Sequence, residues 1–276
     1  RLKKQHEIFR SVLSQVYDQQ LSPILSAGRA DVLDLGCGPG TWVEEFAKVY
    51  QFAFFIGIDL VPMARQHVDR AQFECFDISN LGLQRQNRNV KVIHARCLSF
   101  GFKQFDSVLR EAHEVLSPGG LLLSIEIDWR FEQQKDFRPL NMQATREFLR
   151  RVAACAMEAN GRVAWDPTLI PNWLADAQFY NIQKADMDIP VGPWMASPSK
   201  KELGGLVKTM CIDFVDAMRP ALLSLSSAEL GGVDALDVGA VIADVDALIA
   251  DVKKELESEE IDGWRIPVQV VTASKW

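Results

Sequence analysis

Disulfide frameworks and zinc sites are the first features that this sequence lacks. Its five cysteines are an odd number, are widely scattered, and never show the C-x-x-C spacing of metal sites and redox motifs. Such cysteine usage is typical of a reducing compartment, so we expect the protein in the cytoplasm, with the nucleus as an alternative. We predict no metal site.

Long apolar runs and basic clusters are missing as well. No apolar stretch approaches the roughly 20 residues of a membrane span, and no low-complexity tract interrupts a chain that is 48% hydrophobic. The 30 Lys and Arg against 37 Asp and Glu give a net charge of −7, which disfavours a surface that binds nucleic-acid phosphates. We therefore expect a folded globular protein with no membrane or nucleic-acid partner and with a small, neutral or cationic substrate.

A buried-looking strand that runs into glycines is the most informative stretch present, Val32-Leu33-Asp34-Leu35-Gly36-Cys37-Gly38-Pro39-Gly40. Glycine permits sharp turns and lets backbone N–H groups approach a ligand closely. The spacing D-x-G-x-G-x-G differs from the G-x-G-x-x-G that seats a pyrophosphate on a helix N-terminus. Asp34, two residues before the first glycine, suits the ammonium of an amino-acid tail, as in S-adenosylmethionine.

A second acidic residue supports a nucleoside cofactor. Asp59 lies nineteen residues beyond Gly40, in Gly57-Ile58-Asp59-Leu60, at the end of another apolar segment. A carboxylate at the end of the next strand can accept hydrogen bonds from both ribose hydroxyls. Together these residues predict S-adenosylmethionine, with S-adenosylhomocysteine as its product. The alternatives are a tight strand-to-helix turn and a solvated strand end.

Strands and helices alternate along the first half of the chain, which predicts a parallel sheet with helices on both faces. An amphipathic helix from His6 to about Leu25 comes first, and Thr41–Glu44 resembles a capping box that begins the helix after the glycines. The seven predicted strands are Asp31–Leu35, Phe52–Leu60, Ala71–Phe76, Val90–Cys97, Leu121–Asp128, Tyr180–Ile189 and Ile266–Thr272. The predicted fold is therefore α/β and Rossmann-like, with a seven-stranded, mostly parallel sheet and a ligand site at the carboxyl ends of its strands.

The domain prediction has three parts. Residues 1–30 form an N-terminal helical cap, residues 31–196 and 261–276 form the cofactor-binding core, and residues 197–260 form an insertion before the last strand. The insertion carries predicted helices near Ser199–Leu223 and Val233–Glu257. Because it is far longer than a hairpin loop, we expect a helical lid.

Several motifs together resemble a known family. Besides the glycine loop they are Gln5–Phe9, Gly57–Leu60, Ile93–Arg96, and Leu109–Glu111 with Val115–Gly120. In these motifs the sequence resembles the class I S-adenosylmethionine-dependent methyltransferases and, within them, the fungal secondary-metabolism branch often called LaeA-like. The likeness is clear up to Asp128 and looser after it. Residues 83–89 depart from it, since members usually carry an acidic, Pro-containing loop ending in S-F-D there.

The resemblance implies further cofactor contacts. Asp77 follows the third strand, where the family places an acid against the adenine amino group, and Ile78 beside it could flank the ring. By the same analogy, backbone near Arg96 would lie close to the methionine end of the cofactor. The predicted cofactor-binding residues are Asp34, Gly36, Cys37, Gly38, Gly40, Asp59, Leu60, Asp77, Ile78 and Arg96.

Catalysis and acceptor binding are predicted from the strand ends and the first helix. His94 could take a proton from the acceptor, and Glu126 on the next strand is the other catalytic candidate; the alternatives are a structural histidine and a capping carboxylate. Cys37 has no paired base, so we do not expect it to act as a nucleophile. The predicted substrate-pocket residues are His6, Asp128, Trp129 and Trp194.

Three functions remain open at this point. The first is a methyltransferase that acts on a small-molecule acceptor, of the secondary-metabolite kind, by in-line transfer. The second is a regulatory protein of secondary metabolism that acts through protein partners, which leaves a protein partner or a homo-oligomer open. The third is a cofactor-binding cyclase of the same fold that transfers no methyl group, because fold alone is a poor guide to chemistry.

Overall fold

The computed structural model describes residues 1–62, 68–78, 89–102, 104–129, 132–133, 142–160, 166–229, 235–258 and 261–276. The chain divides into two compact units. The core unit comprises residues 2–127, 166–187 and 268–276, and the second unit comprises residues 128–165 and 188–267 together with residue 1. The predicted lid, residues 197–260, falls within the second unit.

The strands of the sheet follow the predicted order along the chain. They are β1 (Ala30–Leu35), β2 (Ala53–Asp59), β3 (Ala71–Cys75), β4 (Val90–Arg96), β5 (Leu116–Ile127), β6 (Glu132–Gln133), β7 (Tyr180–Pro190) and β8 (Trp264–Ser274). In the core unit the spatial order is β3-β2-β1-β4-β5-β8, with β7 also paired to β8. The first five strands are parallel and β8 is antiparallel to β5. The predicted Rossmann-like, mostly parallel α/β fold is confirmed.

Burial on both faces explains the sequence of the central strands. Val32, Leu33, Ile56 and Ile93 are fully buried, as expected for parallel strands covered by helices on both sides. The strand order reverses around β1, because β2 lies on one side of it and β4 on the other. The carboxyl end of β1 is therefore a switch point, where α/β sheets bind their ligands.

The helices of the core unit are α1 (Leu2–Leu25), α2 (Thr41–Val49), α3 (Phe105–Val115) and α5 (Ile170–Asp176). The first of these begins before the predicted residue His6 and includes Pro23 in its last turn. Its buried face carries Phe9, Leu13, Tyr17 and Leu21, which recur at helical spacing. This face packs against α2 and β4, so the first helix adjoins the carboxyl ends of the central strands.

The second unit is mostly helical. Its helices are α4 (Gln143–Asn160), α6 (Pro198–Ala217), α7 (Arg219–Glu229) and α8 (Ala235–Glu257). The last of these packs against the other three through buried Val245, Ile249, Val252 and Leu256. No helix in the described parts of the chain is long and apolar enough to cross a membrane.

Several boundaries differ from the sequence-based expectation. The single helix predicted over Ser199–Leu223 is two helices, α6 and α7, with Pro220 in the first turn of α7; proline has no N–H with which to continue a preceding helix. Ser117–Gly120, whose Ser-Pro-Gly-Gly sequence is typical of a turn, is included in β5, because Leu116 pairs with Val90 and Leu121 with Val92 around a bulge. The two-residue strand β6, which pairs with Arg265 and Trp264 of β8, was not predicted.

Candidate functional site

The glycine loop joins β1 to α2 through backbone conformations that favour glycine. Gly36, Gly38 and Gly40 have φ angles of 63°, 50° and 64°, in the left-handed region. At Gly36 a Cβ atom would also collide with the Leu98 side chain. The loop sequence is therefore set by backbone geometry and by a neighbouring side chain.

The expected capping box at Thr41–Glu44 is wrong. Gly40 is the N-cap of α2 in a left-handed conformation, and no side chain caps the helix. Thr41 is already the first helical residue, and its buried Oγ1 has no hydrogen-bond partner among the described residues. The reason is that the turn requires glycine at the position where a capping serine or threonine would otherwise stand.

Asp59 holds the glycine loop from the end of β2. Its Oδ2 accepts a hydrogen bond from Gly38 N at 2.8 Å, and its Oδ1 accepts one from Val61 N at 3.0 Å. Each carboxylate oxygen has two lone pairs, so each retains capacity for another donor. Next to Asp59, the apolar side chains of Leu60 and Val61 are 62% and 67% exposed.

Asp34 and His94 form a buried pair across neighbouring strands. They are register partners in β1 and β4, and Asp34 Oδ1 lies 2.7 Å from His94 Nδ1. Their exposures are only 3% and 1%. The His94 ring stacks on Trp42 at 4.0 Å between centroids and an interplanar angle of 6°.

Tyr17 and Arg96 extend this pair toward α1. The Tyr17 hydroxyl lies 3.3 Å from His94 Nε2, and Arg96 donates to the same hydroxyl from Nη1 at 3.4 Å. Burial lowers the pKa of His94 despite the adjacent Asp34 carboxylate, and burial raises the pKa of Tyr17 to about 12. A neutral imidazole and a protonated phenol follow at neutral pH.

His6, which is itself buried, links Arg96 to Glu45 of α2. Its Nδ1 lies 3.3 Å from Arg96 Nη2, and its Nε2 lies 2.7 Å from Glu45 Oε2. Arg10 also pairs with Glu45. Burial lowers the pKa of His6, while its hydrogen bond to Glu45 opposes this shift. These contacts fasten the first two turns of α1 to α2 and to the end of β4.

A cavity of about 330 Å³ opens over these strand ends. Of the predicted site residues, those that line it are His6, Asp34, Gly36, Cys37, Gly38, Asp59, His94 and Arg96. Gly40, Leu60, Asp77, Ile78 and Glu126 are not among its lining residues. The loop after β4 contributes Leu98, Phe100, Gly101 and Phe102, which the sequence reasoning missed because only the run of small and apolar residues there could have indicated them.

Glu126 on β5 accepts hydrogen bonds from that loop. Its Oε1 accepts hydrogen bonds from Leu98 N at 2.9 Å and Ser99 N at 3.1 Å, and its Oε2 accepts one from Ser99 Oγ at 2.9 Å. Burial raises the pKa of Glu126 to about 7, although the two backbone N–H groups oppose the shift. Both oxygens of the Glu126 side chain are thus engaged in hydrogen bonds within the chain.

The predicted adenine contacts lie beside β3. Asp77 is exposed and Ile78 is buried, and the backbone before them is tied to β2 by Phe76 N donating to Asp59 O at 3.0 Å. The atypical loop noted at residues 83–89 falls outside the described residues except for Asn89. Adenine binding by Asp77, Ile78 and Leu60 stays a prediction.

The remaining substrate-pocket candidates, Asp128, Trp129 and Trp194, belong to the second unit. There Trp129 stacks on Phe214 at 3.9 Å between ring centroids. The Trp194 indole N–H donates to Val191 O at 3.0 Å and to Trp264 O at 3.2 Å. Their role in acceptor binding stays a prediction.

The core-unit residues fit S-adenosylmethionine. Asp59 presents two oriented carboxylate oxygens with spare lone pairs, as a ribose diol requires. The unpartnered Thr41 Oγ1 is a buried polar atom in the cavity wall, and such atoms need a hydrogen-bond partner. Asp34 places a carboxylate in the same wall, which is a suitable partner for an ammonium group.

Known proteins provide an independent comparison. The sequence model of a family described as "Methyltransferase domain" matches residues 5–184. The "Secondary metabolism regulator laeA" of Coprinopsis cinerea is 27% identical over 259 residues, which cover 87% of this chain and 62% of that protein. The "Methyltransferase pytC" of Aspergillus terreus is 26% identical over 227 residues, covering 81% of this chain and 68% of that protein.

Among solved structures, a phosphoethanolamine N-methyltransferase 2 of Haemonchus contortus, in complex with phosphomonomethylethanolamine and S-adenosylhomocysteine, aligns with a TM-score of 0.47. Its sequence identity is 12%, and the alignment covers 90% of this chain and 49% of that one. The present chain spans less than two thirds of the length of the Coprinopsis relative.

Proposed function

This chain belongs to the class I S-adenosylmethionine-dependent methyltransferases, and on that basis we propose that it methylates a small-molecule acceptor, of the secondary-metabolite kind, by in-line transfer. The observation that carries the proposal is the cavity at the ends of β1, β2 and β4, whose wall contains Asp34, Asp59 and the glycine loop. Bound S-adenosylmethionine supplies an activated methyl group on a sulfonium, so the protein mainly has to align the two partners.

The chain's own residues divide this task. Asp59 accepts hydrogen bonds from the ribose hydroxyls, and Asp34 binds the ammonium of the methionine end. Gly36 and Gly38 adopt positive φ angles and, without side chains, let the loop backbone approach the cofactor closely. Leu98, Phe100 and Phe102 cover the cavity wall and exclude water.

A small acceptor is supported by the overall charge and by a relative. The net charge of −7 disfavours a polyanionic acceptor such as nucleic acid. The similar Aspergillus protein is named a methyltransferase, which favours catalysis over cofactor binding alone. His94 and Glu126 are both occupied by hydrogen bonds within the chain, which favours acceptors that need no protein base.

The test uses S-adenosylmethionine labelled in its methyl group and a cell extract of the source organism. The extract is separated into a small-molecule fraction and a protein fraction. We expect the purified chain to transfer label to the small-molecule fraction, and Asp59→Asn to lose that transfer through cofactor binding weakened by more than about tenfold. Asp31→Asn at the opposite end of β1 is the matched control and should bind and transfer like the wild type. Label in neither fraction, or equal binding by Asp59→Asn, would contradict the proposal.

A regulatory role is the second candidate, because the similar Coprinopsis protein is named a secondary metabolism regulator. The same experiment separates the two functions. Label that enters only the protein fraction, with a partner that copurifies, would favour regulation through protein partners. A new product that forms while the cofactor stays unchanged would instead indicate a cyclase.

A further inference from the structure

Three buried side chains connect α1 to the cofactor end of β1. Tyr17, His94 and Asp34 follow one another with heavy-atom distances of 3.3 Å and 2.7 Å, and none is more than 3% exposed. Tyr17 and Asp34 lie on opposite sides of the imidazole ring and contact its two different nitrogens. Tyr17 is absent from the cavity wall, whereas His94 and Asp34 are part of it.

The contact with Arg96 leaves the Tyr17 hydroxyl proton available for His94. A guanidinium group only donates, so the Tyr17 oxygen accepts from Arg96 Nη1 at 3.4 Å. Burial raises the pKa of Tyr17, and the phenol therefore keeps its proton and can donate it to His94 Nε2. With Nε2 accepting and the pKa of His94 lowered by burial, the ring proton is on Nδ1, from which it is donated to Asp34.

The orientation of the His94 ring is fixed by its surroundings. Trp42 stacks on one face of the His94 ring with an interplanar angle of 6°, and the side chain is 1% exposed. Within the described part of the chain, the hydrogen bond to Asp34 that the structure shows comes from His94 and engages Oδ1. The second carboxylate oxygen is left for a ligand.

We propose that His94 is a positioning residue for the cofactor, with Tyr17 selecting its Nδ1–H tautomer and that tautomer orienting the Asp34 carboxylate toward the amino group of S-adenosylmethionine. The inference rests on the proposed binding of that amino group by Asp34. In the other tautomer the Nδ1 lone pair would face Asp34 Oδ1 at a distance of 2.7 Å. Two acceptors at that separation repel each other, and the carboxylate would have to turn away.

The experiment removes the hydroxyl group of Tyr17, a residue that does not line the cavity. In Tyr17→Phe, we expect the dissociation constant for S-adenosylhomocysteine, measured by calorimetry, to rise about tenfold, as for loss of one buried hydrogen bond. Long-range ¹H–¹⁵N NMR of the imidazole nitrogens should report Nδ1–H in the wild-type His94 ring and a changed tautomer in the variant. The sequence has four histidines, and His94→Asn identifies the signal.

Tyr50→Phe is the matched control. Its hydroxyl also connects α1 to the α2 region, through a 2.9 Å hydrogen bond to Ser22 Oγ, but it does not contact His94. We expect its affinity to stay within about twofold of wild type. A Tyr17→Phe protein that is less stable yet keeps both the affinity and the tautomer would overturn the inference, because Tyr17 would then only attach the helix.

Asp34→Asn separates this inference from the proposed function. If it binds S-adenosylhomocysteine as the wild type does, the proposed position of the amino group is wrong, and the inference falls with it. If it binds weakly while Tyr17→Phe binds normally, the proposed position stands and the role of Tyr17 and His94 is overturned. Weak binding by both variants, with normal binding by Tyr50→Phe, supports the inference.

Discussion

At the scale of single residues, Glu126 is a buried carboxyl group with a structural task. It is 3% exposed, and both of its oxygens accept hydrogen bonds from the loop at Leu98 and Ser99. That loop contributes several residues to the wall of the cavity at the strand ends. We propose that Glu126 orders this loop and takes no part in proton transfer.

The stability of the protein should depend on pH through Glu126. Burial raises its pKa from 4.5 to about 7, so the folded state binds the proton more tightly than the unfolded state does. The resulting contribution is fully present below pH 4.5 and is lost as the pH rises through about 7, by a total on the order of 3 kcal/mol. Glu126→Gln should abolish this part of the pH dependence.

Urea unfolding at several values between pH 5 and pH 8 checks this expectation. As the pH rises, the free energy of unfolding of the wild type should fall relative to that of Glu126→Gln. Glu114→Gln, which removes an exposed carboxylate from α3, serves as the control and should follow the wild type. Parallel curves for Glu126→Gln and the wild type would show that Glu126 does not titrate in this range.

At the scale of secondary structure elements, the start of α4 is capped by a residue distant in sequence. Glu255 on α8 accepts hydrogen bonds from Ala144 N at 2.9 Å and from Thr145 N and Oγ1 at 2.8 Å each. The first N–H groups of a helix have no partner within the helix. A carboxylate there satisfies two of them and also interacts favourably with the helix dipole.

Loss of this cap should destabilise the second unit. Glu255→Ala leaves the N–H groups at the start of α4 without these partners, so we expect a cost of about 1–2 kcal/mol in the free energy of unfolding. Chemical denaturation measures the change, and hydrogen exchange at Ala144 and Thr145 locates it. Glu257→Ala, an exposed position of equal charge on the same helix, should cost far less; equal costs would mean that net charge alone is responsible.

At the scale of the whole molecule, cofactor binding should be linked to the stability of the core unit. The residues proposed to bind S-adenosylmethionine all belong to that unit, and a ligand that binds only the folded state stabilises it by mass action. S-adenosylhomocysteine at one hundred times its dissociation constant should add about 2.7 kcal/mol, visible as a rise of several degrees in Tm.

Thermal scans over a range of S-adenosylhomocysteine concentrations measure this linkage. The Tm should keep rising with the logarithm of concentration in the wild type and in Asp31→Asn. In Asp59→Asn the same rise should require more than about ten times the concentration. Superimposed curves for the two variants would contradict the assignment of Asp59 to the ribose.

The local sequence was sufficient wherever the relevant interactions are short-range. Glycines at every second position of the loop predict a sharp turn of the kind that needs positive φ angles. The structure has those angles at Gly36, Gly38 and Gly40. The acids at the ends of two apolar segments predict two carboxylates at the edge of a parallel sheet, and Asp34 and Asp59 do line one cavity. The fold class followed from the alternation of strands and helices.

The roles of the other polar residues depend on pairing over long sequence distances. His94 meets Asp34 across 60 residues and Tyr17 across 77, and Glu126 meets Ser99 across 27. In the sequence, Tyr17 is merely one apolar position of a helix, and Thr41 has the pattern of a capping residue. Strand register and burial decide which of these groups meet, and periodicity carries no information on either.

The sequence alone therefore determined the cofactor and the mostly parallel sheet, because glycine conformations, strand-end acids and the alternation of strands and helices are local properties of the chain. Only the tertiary structure decided that the histidine on β4 meets an acid on β1 and that the glutamate on β5 meets the loop after β4. The physical reason is that a buried polar group must find a partner. Which partner it finds is settled only when the strands and helices have packed together.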